Sequence, residues 1–80
     1  MIDAKQAADI VAKKFQNATP KRVADLDNTR YVVEAPSIKN GVDIAVPFYY
    51  VTKDGKDCDR FNPMDDLQKF IEAGKTAIEV

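Results

Sequence analysis

Histidine is absent from the chain, cysteine occurs once, and no apolar run approaches the ~20 residues of a membrane-spanning helix. Each absence removes a class of function. Without histidine the commonest metal ligand is missing, and so is the side chain most used for proton transfer near neutral pH. The lone Cys58 cannot form an intrachain disulfide. With no histidine to activate it, it reads as a small half-buried core residue and not as a nucleophile. A basic surplus is lacking too: the formal net charge is -1, and acids and bases are mixed along the sequence. Nucleic-acid binders carry such a surplus to replace phosphate counterions, so that class is set aside. Lys13, Lys14, Lys21 and Arg22 read as a solvated helix end, with a local basic patch as the alternative. Met1-Ile2-Asp3 does not begin a basic-then-apolar signal sequence, and the expectation is a cytoplasmic protein with no membrane partner.

What remains is one ordinary globular domain spanning 1–80. Hydrophobic residues make up 45% of the chain and charged residues 31%, too apolar a mixture for a disordered protein. At this length only roughly 60% of the unfolded surface is buried, so stability should be modest.

Asp3 with Gln6 three residues later is a box-like helix start, and Ala4, Ala7, Ala8, Val11 and Phe15 follow on one stripe. The spacing predicts a helix over 3–17. Thr19-Pro20 breaks it. Residues 21–27 alternate poorly, with Val23 and Leu26 out of phase, and read as an edge strand. Tyr31, Val33 and Ala35 alternate with Val32 and Glu34 as a strand ending at Pro36, and 37–43 is a connecting loop. Ile44 to Val51 is the strongest strand, although Pro47 demands an edge, a bulge or a site facing no partner. Lys53-Asp54-Gly55-Lys56 is a hairpin turn with Gly55 at positive φ, and Asp57 to Phe61 returns from it. Asn62-Pro63 opens a second helix with Met64, Leu67, Phe70 and Ile71 as its apolar face and Gly74 at the C-cap. Residues 75–80 are either a last short strand or a frayed end.

The expected fold is therefore α+β, in the order α-β-β-β-β-α. It is an antiparallel sheet with both terminal helices packed on one face. That arrangement leaves the other face open. Phe48 and Tyr50 would fill the core against Phe15, Leu67 and Phe70. Tyr49, with Val32, Val51 and Tyr31 in a different register, would lie on the uncovered side, where tyrosines anchor interfaces. The alternative is a face solvated by Glu34 and Thr52. If the face binds, Tyr49→Arg should weaken association and leave the fold intact.

Two motifs point to chemistry. Gly74-Lys75-Thr76 has the ending of a phosphate-binding loop, but Lys69 stands where the motif needs glycine, and the helix precedes it. Asp54, Asp57, Asp59, Asp65 and Asp66 gather around the hairpin, and oxygen ligands suit calcium or magnesium. Their spacing is not that of an EF-hand, and turn, cap and solubility roles account for all five.

The first helix, then Arg30-Tyr31-Val32-Val33-Glu34, then Tyr49-Tyr50-Val51-Thr52-Lys53-Asp54-Gly55-Lys56, resembles the PepSY-type pattern, in which a strand ends in an aspartate-or-lysine plus glycine turn. With the helix from Pro63 to Ala73 added, the hairpin is similar to YrhB-type immunity proteins found near bacterial toxin genes, and to small phage and prophage proteins. The loop from Pro36 to Asp43 and the Asn62-Pro63 start depart from the PepSY pattern. Neither group brings catalytic residues or a cofactor. The resemblance implies a bacterial or phage domain that binds, inhibits or regulates a protein. The leading expectation is thus a non-enzymatic binding module with a protein partner or a homodimer, acting through Tyr31, Val32, Tyr49 and Val51. The alternative is a small-ligand or divalent-cation binder using the acidic hairpin.

Overall fold

The Asp3 carboxylate accepts from the Gln6 amide at 2.8 Å, and the Gln6 side chain accepts from the Asp3 amide at 2.9 Å. This capping box opens α1 (Ala4–Lys14). The helix ends earlier than residue 17. Phe15 leaves the helical path (φ -120°, ψ 83°) and its ring lies on Tyr49, centroids 4.5 Å apart.

The computed structural model describes residues 1–36, 38–39, 42–43 and 47–80. After α1 come β1 (Arg22–Asp25), β2 (Arg30–Glu34), β3 (Ile38–Lys39), β4 (Val42–Asp43), β5 (Phe48–Thr52) and β6 (Cys58–Arg60). A 3-10 turn (Pro63–Asp66), α2 (Leu67–Gly74) and β7 (Ile78–Glu79) complete the chain. Five strands form an antiparallel sheet in the order β6-β5-β2-β1-β7, and β3 pairs with β4 apart from it. The class is α+β, as expected. No helix among the described residues is long and apolar enough to cross a membrane.

Several elements differ from their expected form. β1 is an inner strand, because β7 pairs on its far side with Val23 opposite Ile78, and the Val80 amide reaches the Lys21 carbonyl at 3.1 Å. The tail is therefore a strand. The expected loop over 37–43 carries the β3–β4 pair, and the first part of the expected long strand, 44–46, lies outside the described residues. Pro47 stands one residue before β5, where no ladder donor is required of it. Asn62 accepts from the Met64 amide at 3.0 Å, but the turn it opens is 3-10 before it becomes α2.

The larger correction concerns the helices, which lie on opposite faces of the sheet. Ala7, Ala8 and Val11 of α1 pack with Val23, Val33, Tyr49, Val51 and Cys58. Ala73 and Phe70 of α2 pack with Ala24, Leu26, Val32, Phe48, Tyr50 and Phe61 on the other side. Adjacent residues of one strand thus enter different cores. This explains why Val23 and Leu26 read as out of phase: in a strand buried on both sides, apolar residues run on without alternating.

Two turns fix the register. Gly55 takes φ 77° in the β5–β6 turn, a conformation that costs other residues energy. At the β1–β2 turn Asp27 accepts from the Thr29 amide and hydroxyl, both at 2.8 Å, and from the Arg30 guanidinium at 2.8 and 3.1 Å. Burial alone would raise the Asp27 carboxyl. The Arg30 and Thr29 donors outweigh it and hold the group well below the usual carboxylate range.

Tyr49→Arg places an unpaired guanidinium between α1 and the sheet. It should destabilise the protein by more than about 3 kcal/mol, read as a lowered urea midpoint. Asp27→Asn should cost about 1–2 kcal/mol at pH 7. Because the folded pKa is depressed, that contribution is complete above the unfolded value of about 4 and is lost as pH falls through the folded value. Urea titrations of parent and variant should therefore converge in acid.

Candidate functional site

The four residues expected on an open sheet face do not share one. Tyr31, Tyr49 and Val51 point to the α1 side and Val32 to the α2 side. Tyr49 is 4% exposed, Val32 5% and Val51 0%. Tyr31 is half-buried; its hydroxyl donates to the Ile2 carbonyl at 3.0 Å, and the Lys53 ammonium stands 5.0 Å from its ring centre. Three of the four are core residues, so this group is not a contact surface. The reason is α1, which covers the face that was expected to be bare.

The acidic hairpin does not assemble a ligand set. Asp54 accepts from the Thr52 hydroxyl at 2.7 Å and the Lys56 amide at 2.9 Å, and the Thr52 bond foremost holds its carboxyl below its ordinary value. Asp59 accepts from the Arg60 amide, and Asp66 lies 3.5 Å from the Lys69 ammonium. Among the described residues no three acidic or thiol groups converge as a metal site would require. Cys58 is buried, and burial pushes its thiol up against the opposing pull of Lys14.

The surface left incompletely covered lies on the α2 side. At 3.6 residues per turn Phe70 and Ala73 face the sheet, with Ala77 packed beside them beyond the helix end, while Leu67, Ile71 and Gly74 form the next row along the helix. Of the expected apolar face only Phe70 turns inward, its ring edge-on to Phe48 at 4.7 Å. Leu67 is 46% exposed, Ile71 53%, and Met64 in the preceding turn 75%. Eight residues of helix cannot roof five strands. Beside the row is a cleft of about 220 Å³, with Ala24, Val32 and Phe48 on its floor and Phe70, Gly74 and Ala77 along its wall.

The rim of the cleft carries one ion pair. Arg22 meets Glu34 through two bonds, Nε to Oε1 at 2.6 Å and Nη2 to Oε2 at 3.1 Å. That contact lowers the Glu34 carboxyl and raises the Arg22 guanidinium. The pair satisfies itself, so the cleft floor and wall are apolar, with the Glu79 carboxylate across from Arg22 adding a negative charge at the rim.

Gly74 lines the wall of the cleft without a side chain. Its φ is not positive, unlike that of Gly55, and it remains within the helix while Lys75 takes the cap. Among the described residues a Cβ added there would meet nothing within 4 Å, and none of them requires glycine at this position. Sequence reading had assigned Leu67 and Ile71 to the core; the available signal was Leu67, Ile71 and Gly74 at i, i+4 and i+7, one row away from Phe70.

No protein-family model, curated protein or solved structure matches this chain.

Proposed function

We propose that the chain is a non-enzymatic protein-binding module whose contact surface is the α2 row and its cleft, in place of the sheet face first expected. The observation that carries this reading is the exposure of Leu67 and Ile71 beside an apolar hollow on the same flank. Large apolar groups exposed together mark interaction surfaces more often than solvated ones. The size of the hollow narrows the occupant. At about 220 Å³ it falls below the roughly 300–1,000 Å³ of small-molecule pockets. It suits one bulky apolar side chain presented by a protein, the anchor-in-pocket arrangement of interface hot spots.

The absence of histidine and the buried, raised thiol of Cys58 support a binding role over a catalytic one. A net charge of -1 with no basic surplus supports a protein over a nucleic acid as partner. A cytoplasmic inhibitor, immunity protein or phage accessory protein would need what this domain offers: a folded scaffold with an exposed apolar surface.

A photoreactive benzoylphenylalanine in place of Ile71, in cells that naturally make the chain, should yield a defined protein adduct on irradiation. The same group in place of the exposed Asp9 on α1 should yield none. Failure to crosslink from position 71, or equal crosslinking from both positions, would remove the α2 flank as the contact surface.

A further inference from the structure

We infer that the partner of the α2 flank is a basic protein segment, in which a bulky apolar residue has lysine or arginine on either side of it. The inference rests on the binding role proposed for that flank and adds the chemistry of the occupant. Its ground is the charge that stands around the apolar row.

Glu79 lies opposite Arg22 in the β1–β7 pair, and Arg22 lies opposite Glu34 in the β1–β2 pair. Residues directly opposite one another share a face, so the Glu79 carboxylate stands with Arg22 and Glu34 at the rim of the cleft. Arg22 is already engaged there, with Nε and Nη2 both donating to Glu34. Glu79 is exposed and makes no ion pair among the described residues. Asp65, in the turn that leads into α2, is exposed and unpaired in the same way. The lysines of the flank are taken: Lys69 stands 3.5 Å from Asp66 and 3.7 Å from Asp27, and Lys75 3.2 Å from Glu72. The flank thus has carboxylates to spare and, among the described residues, no spare cation.

These acids stand at the ends of the apolar row. Asp65 precedes Leu67, and Glu79 stands beside the cleft that Gly74 lines at the helix end. From Leu67 to Gly74 the helix rises about 10 Å, a span that roughly three residues of extended chain cover. A segment with its apolar residue in the cleft therefore carries its neighbours toward the carboxylates. Any such occupant also covers Glu79, and a lone carboxylate taken out of water costs free energy unless a cation meets it. Lysine or arginine beside the anchor removes that cost. Charge across a rim also steers the encounter and rejects partners of the wrong sign. A second copy of this chain would set Asp65 and Glu79 against their own images, and the same rule disfavours it.

A synthetic peptide tests this: a central phenylalanine between leucines, with a pair of lysines at each end. It is titrated into the isotope-labelled chain while backbone amide shifts are followed. The shifts should gather at Leu67 to Ala77 and at Arg22 to Ala24, and should saturate. The same peptide with glutamates for lysines should bind at least about tenfold more weakly, and so should one with alanine for phenylalanine. Asp65→Asn combined with Glu79→Gln should raise the dissociation constant of the lysine peptide about fivefold. Both side chains are exposed, so that variant should keep the parent's circular dichroism and urea midpoint. No binding, equal binding of the lysine and glutamate peptides, shifts centred elsewhere, or indifference to the double variant overturns the inference. So does a change in the same amides with chain concentration alone, which would show a second copy on the flank. If position 71 crosslinks to a protein while the lysine peptide has none of these preferences, the basic partner is excluded and the binding role survives. Loss of both the adduct and peptide binding removes both.

Discussion

The inner strands of this sheet are apolar on both sides, and a sheet of that kind must be covered twice. Val32 and Val33 are neighbours in β2 and are both buried, one under each helix. Val23 and Ala24 in β1 and Tyr49 and Tyr50 in β5 divide in the same way. The chain has two helices for this, of unequal length. α1 has 11 residues and brings small alanines close against the sheet; α2 has 8. The first face is closed, and the second keeps a cleft. The candidate site is what the shorter helix fails to cover.

Other contacts hold the closed face in place. The Ile2 amide donates to the Lys53 carbonyl at 2.8 Å, and the Lys14 ammonium donates to the Cys58 carbonyl on β6. Both ends of α1 are thereby tied to the β5–β6 hairpin. The Phe15 ring, tilted against Tyr49, fills the space where the helix ends. On the other face α2 is anchored chiefly by Phe70 and Ala73, with Phe70 between Phe48 and Phe61. The better-fastened face explains why Tyr49, expected on the open side, is a core residue.

Local chemistry was the legible part of the sequence. The Asp3–Gln6 box, the Gly55 turn and the Asn62 cap all form where their residues indicate, since each depends on a few neighbouring groups. The side of the sheet that each helix covers was not legible. Period-two alternation separates two faces without saying which of them receives a helix, and a strand buried on both faces blurs the alternation itself. The same ambiguity sent Tyr49 and Val51 outward and Leu67 and Ile71 inward. β7 was equally hidden: a two-residue strand has almost no pattern of its own and is defined by its partner, β1.

The central claim is that α1 and α2 occupy opposite faces of the sheet and that Leu67 and Ile71 lie on the outer, solvent-exposed side of α2. Methyl NMR with a soluble gadolinium chelate, at a dilution where the chain is monomeric, reads this residue by residue. The account predicts strong relaxation of the Leu67 and Ile71 methyls, with Val32, Val33 and Val51 protected. Relaxation of Val33 and Val51 as strong as that of Ile71, with Leu67 protected, would contradict it and place both helices on one face.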